Sequence, residues 1–387
     1  MEFKLELCNI ITRTDVGGII LLTIPNIILR SDLSLLPKEN LYTICTDLGL
    51  LTEGGGNDLA NRIWEKIKDD KELQNIALER DKSKLLVGKT SVTWYRLGAG
   101  ATLQSSKESI IKEAGYNPFE QRIVPPSIGV TTTPSIIGAA QGENNDEYYL
   151  RFIYKDGVNT KYYGQETIVT PVIKVATVYM NINTGCIEVR TPSKKAANVV
   201  NALASLIKQH ITIEPVKIMA PYGNNIERIA DALDGEFIDT TAKPELLLEE
   251  LTPEQSNAVL RILQALDGYF EDDDITSLEQ GLNEARTELG EDAQDIPFTA
   301  LVLAGLEKVG FGVSDKDLRS SQLYNYFRGY MQHQGGDISF SCREKFIDKK
   351  YTIQVGITTN SIFFKRRATE NAVRYVRDRV IMNEKNN

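Results

Sequence analysis

The chain has 387 residues, a formal net charge of -9 and 42% hydrophobic residues. That length suits two or three domains with their own cores, and the apolar fraction excludes a wholly disordered chain. Cys8, Cys45, Cys186 and Cys342 are far apart and form no CxxC pair, which excludes a cysteine-based zinc site and fits thiols in a reducing cytoplasm.

The first thirty residues read as short strands, FKLELCNIIT and IILLTIPNIIL, separated by Asp15, Val16, Gly17 and Gly18. The apolar run from Gly17 to Leu29 is interrupted by Pro25 and Asn26 and is too short to span a bilayer. No basic segment or small-residue cleavage site precedes it, so it reads as buried strands and not as a signal peptide, and no membrane partner is expected.

From Leu41 the chain reads as two short helices around a glycine turn. Leu41, Ile44, Cys45 and Leu48 recur at helical spacing, Gly49 stops the helix, and Leu59 with Ile63 begins a second stripe. Pro37 suits the first turn of the first helix and Asn57 the N-cap of the second. Leu41, Cys45, Gly49, Leu50, Gly54, Leu59, Arg62 and Ile63 stand where a SAP domain places its apolar, glycine and arginine positions, and residues 38–69 resemble that helix-extended-helix module. The resemblance implies DNA binding, with Arg62 as a contact. The family's usual lysine two residues after the turn glycine is replaced by Gly56, so its phosphate contact is missing.

Residues 98–147 are rich in Gly, Thr, Ser and Pro and suggest a linker or surface excursion. Two strand-hairpin-helix units follow. In the first, within residues 148–240, VATVYMNI and CIEVR flank an Asn-Thr-Gly turn and Ser193 caps a helix carrying Ala196, Val200, Leu203 and Ile207. In the second, residues 336–387, ISFSCRE, YTIQVGI and SIFFKR precede Thr369, the cap of a helix carrying Val373, Val376 and Val380. Between them residues 241–335 read as an acidic helical region, opened by the capping box of Thr252, Pro253 and Gln255. With residues 1–97 as an N-terminal module, the expected class is multidomain α+β, with antiparallel sheets packed by helices.

Charge is polarised along the chain. From Pro244 to Ile296 fifteen acids face Arg261 and Arg286, a net -13, whereas Arg343 to Asn387 carry eleven bases and five acids, a net +6. Lys194 and Lys195 in one first helical turn, and Lys365, Arg366 and Arg367 before the other, oppose the helix dipole unless an anion sits nearby. With Arg62, Arg190, Arg374 and Arg377 they form a candidate set for a nucleic-acid backbone. Tyr324, Tyr326, Phe327, Arg328 and Tyr330 form an aromatic cluster that suits core packing or stacking on single strands.

Signatures of catalysis are weak. Val87, Gly88, Lys89 and Thr90 end like a P-loop, but the earlier glycine is Ser83 and SVTWYRL reads as strand. His210 and His333 lack metal-ligand spacing, Asp272, Asp273 and Asp274 lack the rest of a calcium loop, and no GxSxG elbow occurs. A nuclease would draw on Asp337, Asp348 and Lys350. The sequence therefore favours a non-catalytic, cofactor-free protein binding the DNA backbone without sequence readout. The alternatives are a protein-interaction or scaffold subunit of a chromosome-associated or phage-defence assembly, with a protein partner or further copies of itself, and a metal-dependent nuclease.

Overall fold

The structure, a computed structural model, describes residues 24–98, 103–208, 213–244, 253–272, 274–289, 309–312, 316–344 and 347–382. The architecture is α+β. It divides into two compact units, Met1–Val216 with Arg367–Val373, and Lys217–Arg366 with Arg374–Asn387. The boundary at Val216 falls inside the segment 148–240 that composition groups together.

Among the described residues of the first unit, five short helices precede the first strand: α1 (Arg30–Leu33), α2 (Lys38–Asp47), α3 (Gly56–Ile67), α4 (Lys71–Leu78) and α5 (Lys82–Leu85). The sheet comprises β1 (Ser91–Leu97), β2 (Ser135–Gln141), β3 (Glu147–Tyr163), β4 (Glu166–Asn181), β5 (Cys186–Arg190) and β6 (Ile213–Pro215), antiparallel in the order β2-β3-β4-β5-β1-β6. Tyr149 pairs with Tyr179 and the next residues, Leu150 and Val178, pair with each other, so these rows face opposite sides. Tyr149, Tyr179 and Ala140 share a core with Leu41, Ile44, Cys45, Leu59 and Ile63 of the helices. Leu150, Phe152, Val178 and Met180 pack on the other side against α6 (Ser106–Ala114) and α7 (Ser193–Ile207), through Ile110, Val199, Val200 and Leu203.

Several local expectations change. Residues 98–147 supply α6 and β2, with Leu103, Ile110, Ile137 and Ala139 buried, so the ends of this stretch enter the core, whereas Ile123, Val124 and Ile128 between them are exposed. Gly138 serves close packing: a Cβ there would lie 2.2 Å from the Asn26 carbonyl oxygen. The N-cap of α3 is Gly55, not Asn57, and the Gly55 N–H donates to the Asp58 carboxylate at 2.8 Å. Pro192, not Ser193, occupies the N-cap of α7. Ile24–Asn26 form a 3-10 turn and not a strand, and the strand-like runs before them lie outside the described residues.

The second unit contains α8 (Ile226–Ala232), β7 (Glu236–Pro244), α9 (Pro253–Asp272), α10 (Ile275–Leu289), β8 (Val309–Gly312), α11 (Gln322–Phe327), β9 (Met331–Glu344), β10 (Ile347–Gly356) and β11 (Ser361–Phe364). Its strands run antiparallel in the order β11-β10-β9-β7-β8. The chain then forms α12 (Glu370–Val376), whose cap is Thr369, since its Oγ1 accepts from the Ala372 N–H. Tyr375 stacks on Phe340 with centroids 5.5 Å apart, fastening this segment to β9. Residues 241–335 thus hold strands as well as acidic helices, and Thr252 of the expected capping box lies outside the described residues.

Candidate functional site

The SAP-like hairpin is α2, the Gly49 turn at φ +66°, and α3. Its apolar face is spent on the sheet and the neighbouring helices, so it is one layer of a larger core and not a detached module. Arg62 turns back on the connection, where Nη1 donates to the carbonyls of Leu51 (3.0 Å) and Glu53. Residues 38–69 carry four bases and six acids, a net -2 that opposes a polyanion.

Arg190 does not face outward. Its side chain is 1% exposed, pairs with Glu188 at 2.7 Å and with Glu370, and lies 5.6 Å above the Tyr149 ring. Burial works to discharge this guanidinium, but Glu370 and Glu188 hold it well above its ordinary pKa. Trp94 Nε1 donates to the other oxygen of Glu188 at 3.1 Å, completing a buried polar knot. A second buried pair, Arg151 with Asp32 at 2.6 Å, lies in the same unit, and burial pushes the Asp32 carboxyl up despite that partner. Of the two helix-start lysines, Lys194 is exposed and Lys195 pairs with Asp156 at 2.9 Å.

The C-terminal cations divide similarly. Lys365 pairs with Asp337, Arg377 is buried at 5% exposure, Arg374 is half-buried, and Arg366 and Arg367 are exposed. Arg190 and Arg377 are therefore corrected from candidate phosphate ligands to buried structural residues. An arginine in an antiparallel strand is placed by the pleat, and periodicity does not show that a glutamate 180 residues away will meet it. Tyr324 is also buried: it packs on Phe237 at 5.9 Å and Phe311 at 6.0 Å, and its hydroxyl donates to Glu227. That member of the aromatic cluster is core.

The nuclease candidates do not converge. Asp337 stands opposite Gln354 and Asp348 opposite Arg343 on the β9–β10 ladder. Six register positions separate them, about 20 Å. Lys350 is paired with Glu236 at 2.7 Å. Among the described residues no group of three or more His, Cys, Asp or Glu side chains could hold a metal ion, and no helix is long and apolar enough to cross a membrane.

A feature invisible to the charge reading is the β3–β4 arm. The last β2 partner on β3 is Ile153, the last β5 partner on β4 is Thr177, and the two strands continue as a ribbon to Tyr163 and Glu166. From Val158 to the tip it extends about 20 Å. Opposed pairs share a face, so Val158, Pro171, Thr160, Val169, Tyr162 and Thr167 form an uncharged surface, with Lys161, Ile168, Tyr163 and Glu166 on the reverse. Tyr162 is 81% exposed and Tyr163 77%. A bulge between Lys155 and Val158, with Gly157 at φ +112°, marks the base, where Asp156 receives Lys195. The alternation VNTKYY and ETIVTP held this strand signal, masked by the turn-rich composition around it.

No protein-family model matches the chain, and no curated protein matches it.

Proposed function

We propose that the chain is a non-catalytic scaffold subunit that assembles with further copies of itself through the β3–β4 arm. The observation that carries this reading is the arm's uncharged, exposed face. A two-stranded ribbon is marginally stable alone in water, so one bearing Val158, Tyr162 and Val169 outward gains stability when covered. The Lys155 N–H is taken by the Thr131 carbonyl at 2.7 Å, but from Val158 to the tip neither ribbon edge pairs with another described strand, leaving backbone N–H and C=O groups for pairing. Lys161 and Glu166 give its reverse face one charge of each sign, a combination that a second identical arm complements. Sedimentation velocity over a concentration series tests it. The full chain should form dimers or larger species, and Tyr162→Ser with Val169→Ser should shift it to monomer without loss of circular-dichroism signal. A wild-type chain that stays monomeric at tens of micromolar overturns the proposal.

A second reading, association with the DNA backbone, is favoured by the exposure of Lys194, Arg366 and Arg367 together with the SAP-like hairpin. A salt series of duplex DNA binding tests it, because each lost phosphate contact flattens the slope by about 0.9. Replacing those three cations by alanine should weaken binding. No retardation at low salt removes this reading.

A further inference from the structure

Among the described residues, helices α9 and α10 form an antiparallel hairpin that shares a core of Ala258, Ile262 and Ala285, with Leu266 partly buried against them, and Val259 of α9 is buried as well. Gly281 permits the close approach, since a Cβ there would lie 2.5 Å from the Ala265 Cβ. Arg261 staples the pair through Glu284 at 3.4 Å and Glu288 at 3.1 Å.

A second apolar face remains uncovered. Leu260, Leu263 and Phe270 lie more than a quarter turn around α9 from the seam of Ala258, Ile262 and Ala265, counting about 100° per residue. Ile275 and Leu282 lie about a quarter turn around α10 from Gly281 and Ala285. Both displacements run toward higher angle, and in antiparallel helices that rotation carries the two stripes to the same side. All five side chains are exposed, Phe270 to 79% and Ile275 to 59%. The two stripes are therefore one continuous surface, of the kind that receives an amphipathic helix.

Charge selects the occupant. Pro253 to Leu289 carry nine acids against Arg261 and Arg286, a net -7, and Asp267 lies within the α9 stripe between Leu263 and Phe270. A second copy of the hairpin would oppose this surface with the same charge, whereas lysines and arginines flanking an apolar stripe complement it. We infer that the α9–α10 hairpin docks a basic amphipathic helix of a partner protein, an interaction independent of the β3–β4 arm.

The test uses the full chain and a fluorescent three-heptad peptide with leucine at the two core positions and lysine elsewhere, beside its glutamate counterpart. Anisotropy should show the lysine peptide binding, the glutamate peptide not binding, and Phe270→Ser with Ile275→Ser weakening the lysine complex by about tenfold or more. Those substitutions sit on exposed positions and preserve charge, and unchanged helicity by circular dichroism verifies the fold. Equal binding of both peptides, no binding of either, or lysine-peptide binding untouched by the double substitution overturns the inference. Self-association abolished by the same double substitution also overturns it, in favour of a second copy.

Discussion

Arg190 and Glu370 are separated by 180 residues and form a two-point ion pair, with Nη2 donating to Oε2 at 2.8 Å and Nη1 to Oε1. The pair ties the segment after β11 into the sheet of the first unit, and Arg190 Nη1 also donates to the Leu86 carbonyl at 3.2 Å. Removing one partner leaves the other buried and uncompensated, which costs far more than the net worth of the pair. Glu370→Ala should therefore destabilise the protein by about 3 kcal/mol. Urea unfolding should place its midpoint well below that of Arg366→Ala, an exposed position that should change stability by less than about 0.5 kcal/mol.

The SAP-like hairpin gives a second prediction, because its apolar residues serve the common core. Leu59 and Ile63 are fully buried, and Leu59→Ala should cost about 3 kcal/mol by lost transfer energy and an unfilled cavity. If the hairpin were a detached module, the same change would leave the sheet's near-ultraviolet signal intact. The packing of Leu59 in one cluster with Tyr149 and Tyr179 predicts that this aromatic signal falls in the same transition.

Backbone geometry at the connection supplies a third. Gly54 sits at φ +109°, and a Cβ there would approach the Asp58 carboxylate to 2.9 Å, the group that caps α3. Gly54→Ala should cost about 1–3 kcal/mol through a strained backbone and a displaced cap. Gly49→Ala meets no neighbour within 4 Å and should cost less, from its φ of +66° alone. Thermal melts of the two variants side by side check the order.

Local patterns were legible where one physical signal dominated. The helical stripes of Leu41–Leu48 and Ala196–Ile207, the Gly49 stop, the Thr369 cap and the strands VATVYMNI, CIEVR, YTIQVGI and SIFFKR all stand in the structure. Burial is where charge and composition mislead. Arg190 and Arg377 read as phosphate ligands because sequence shows a cation but not that both side chains are buried, nor the distant Glu370 that meets Arg190. Residues 98–147 looked like a linker because glycine serves close approach, as Gly138 does against Asn26, as readily as flexibility. The β3–β4 arm is hidden because turn-forming residues around VNTKYY and ETIVTP mask their alternation.

The last prediction concerns His333, which sits between Tyr324 and Thr240, with Nε2 3.3 Å from the tyrosine hydroxyl and Nδ1 2.8 Å from the threonine Oγ1. The tyrosine proton goes to the Glu227 carboxylate and the Thr240 proton to the Gly335 carbonyl at 3.0 Å, so both hydroxyl oxygens face the ring as acceptors. Burial lowers the pKa of His333 below the ordinary 6.5, while the nearby Glu227 partly offsets that effect. Its folded-state pKa therefore lies below the unfolded one, and the unfolded chain binds more protons as the pH falls through 6.5. Stability is thus highest above that value and declines as acid is added, levelling once the pH drops beneath the folded-state pKa. His333→Gln, which keeps a donor and an acceptor but cannot ionise, should remove this component of the slope. Urea midpoints measured from pH 7.5 to 5 should converge for the two proteins at the acidic end, and parallel curves would show that the buried imidazole does not set the acid sensitivity of this unit.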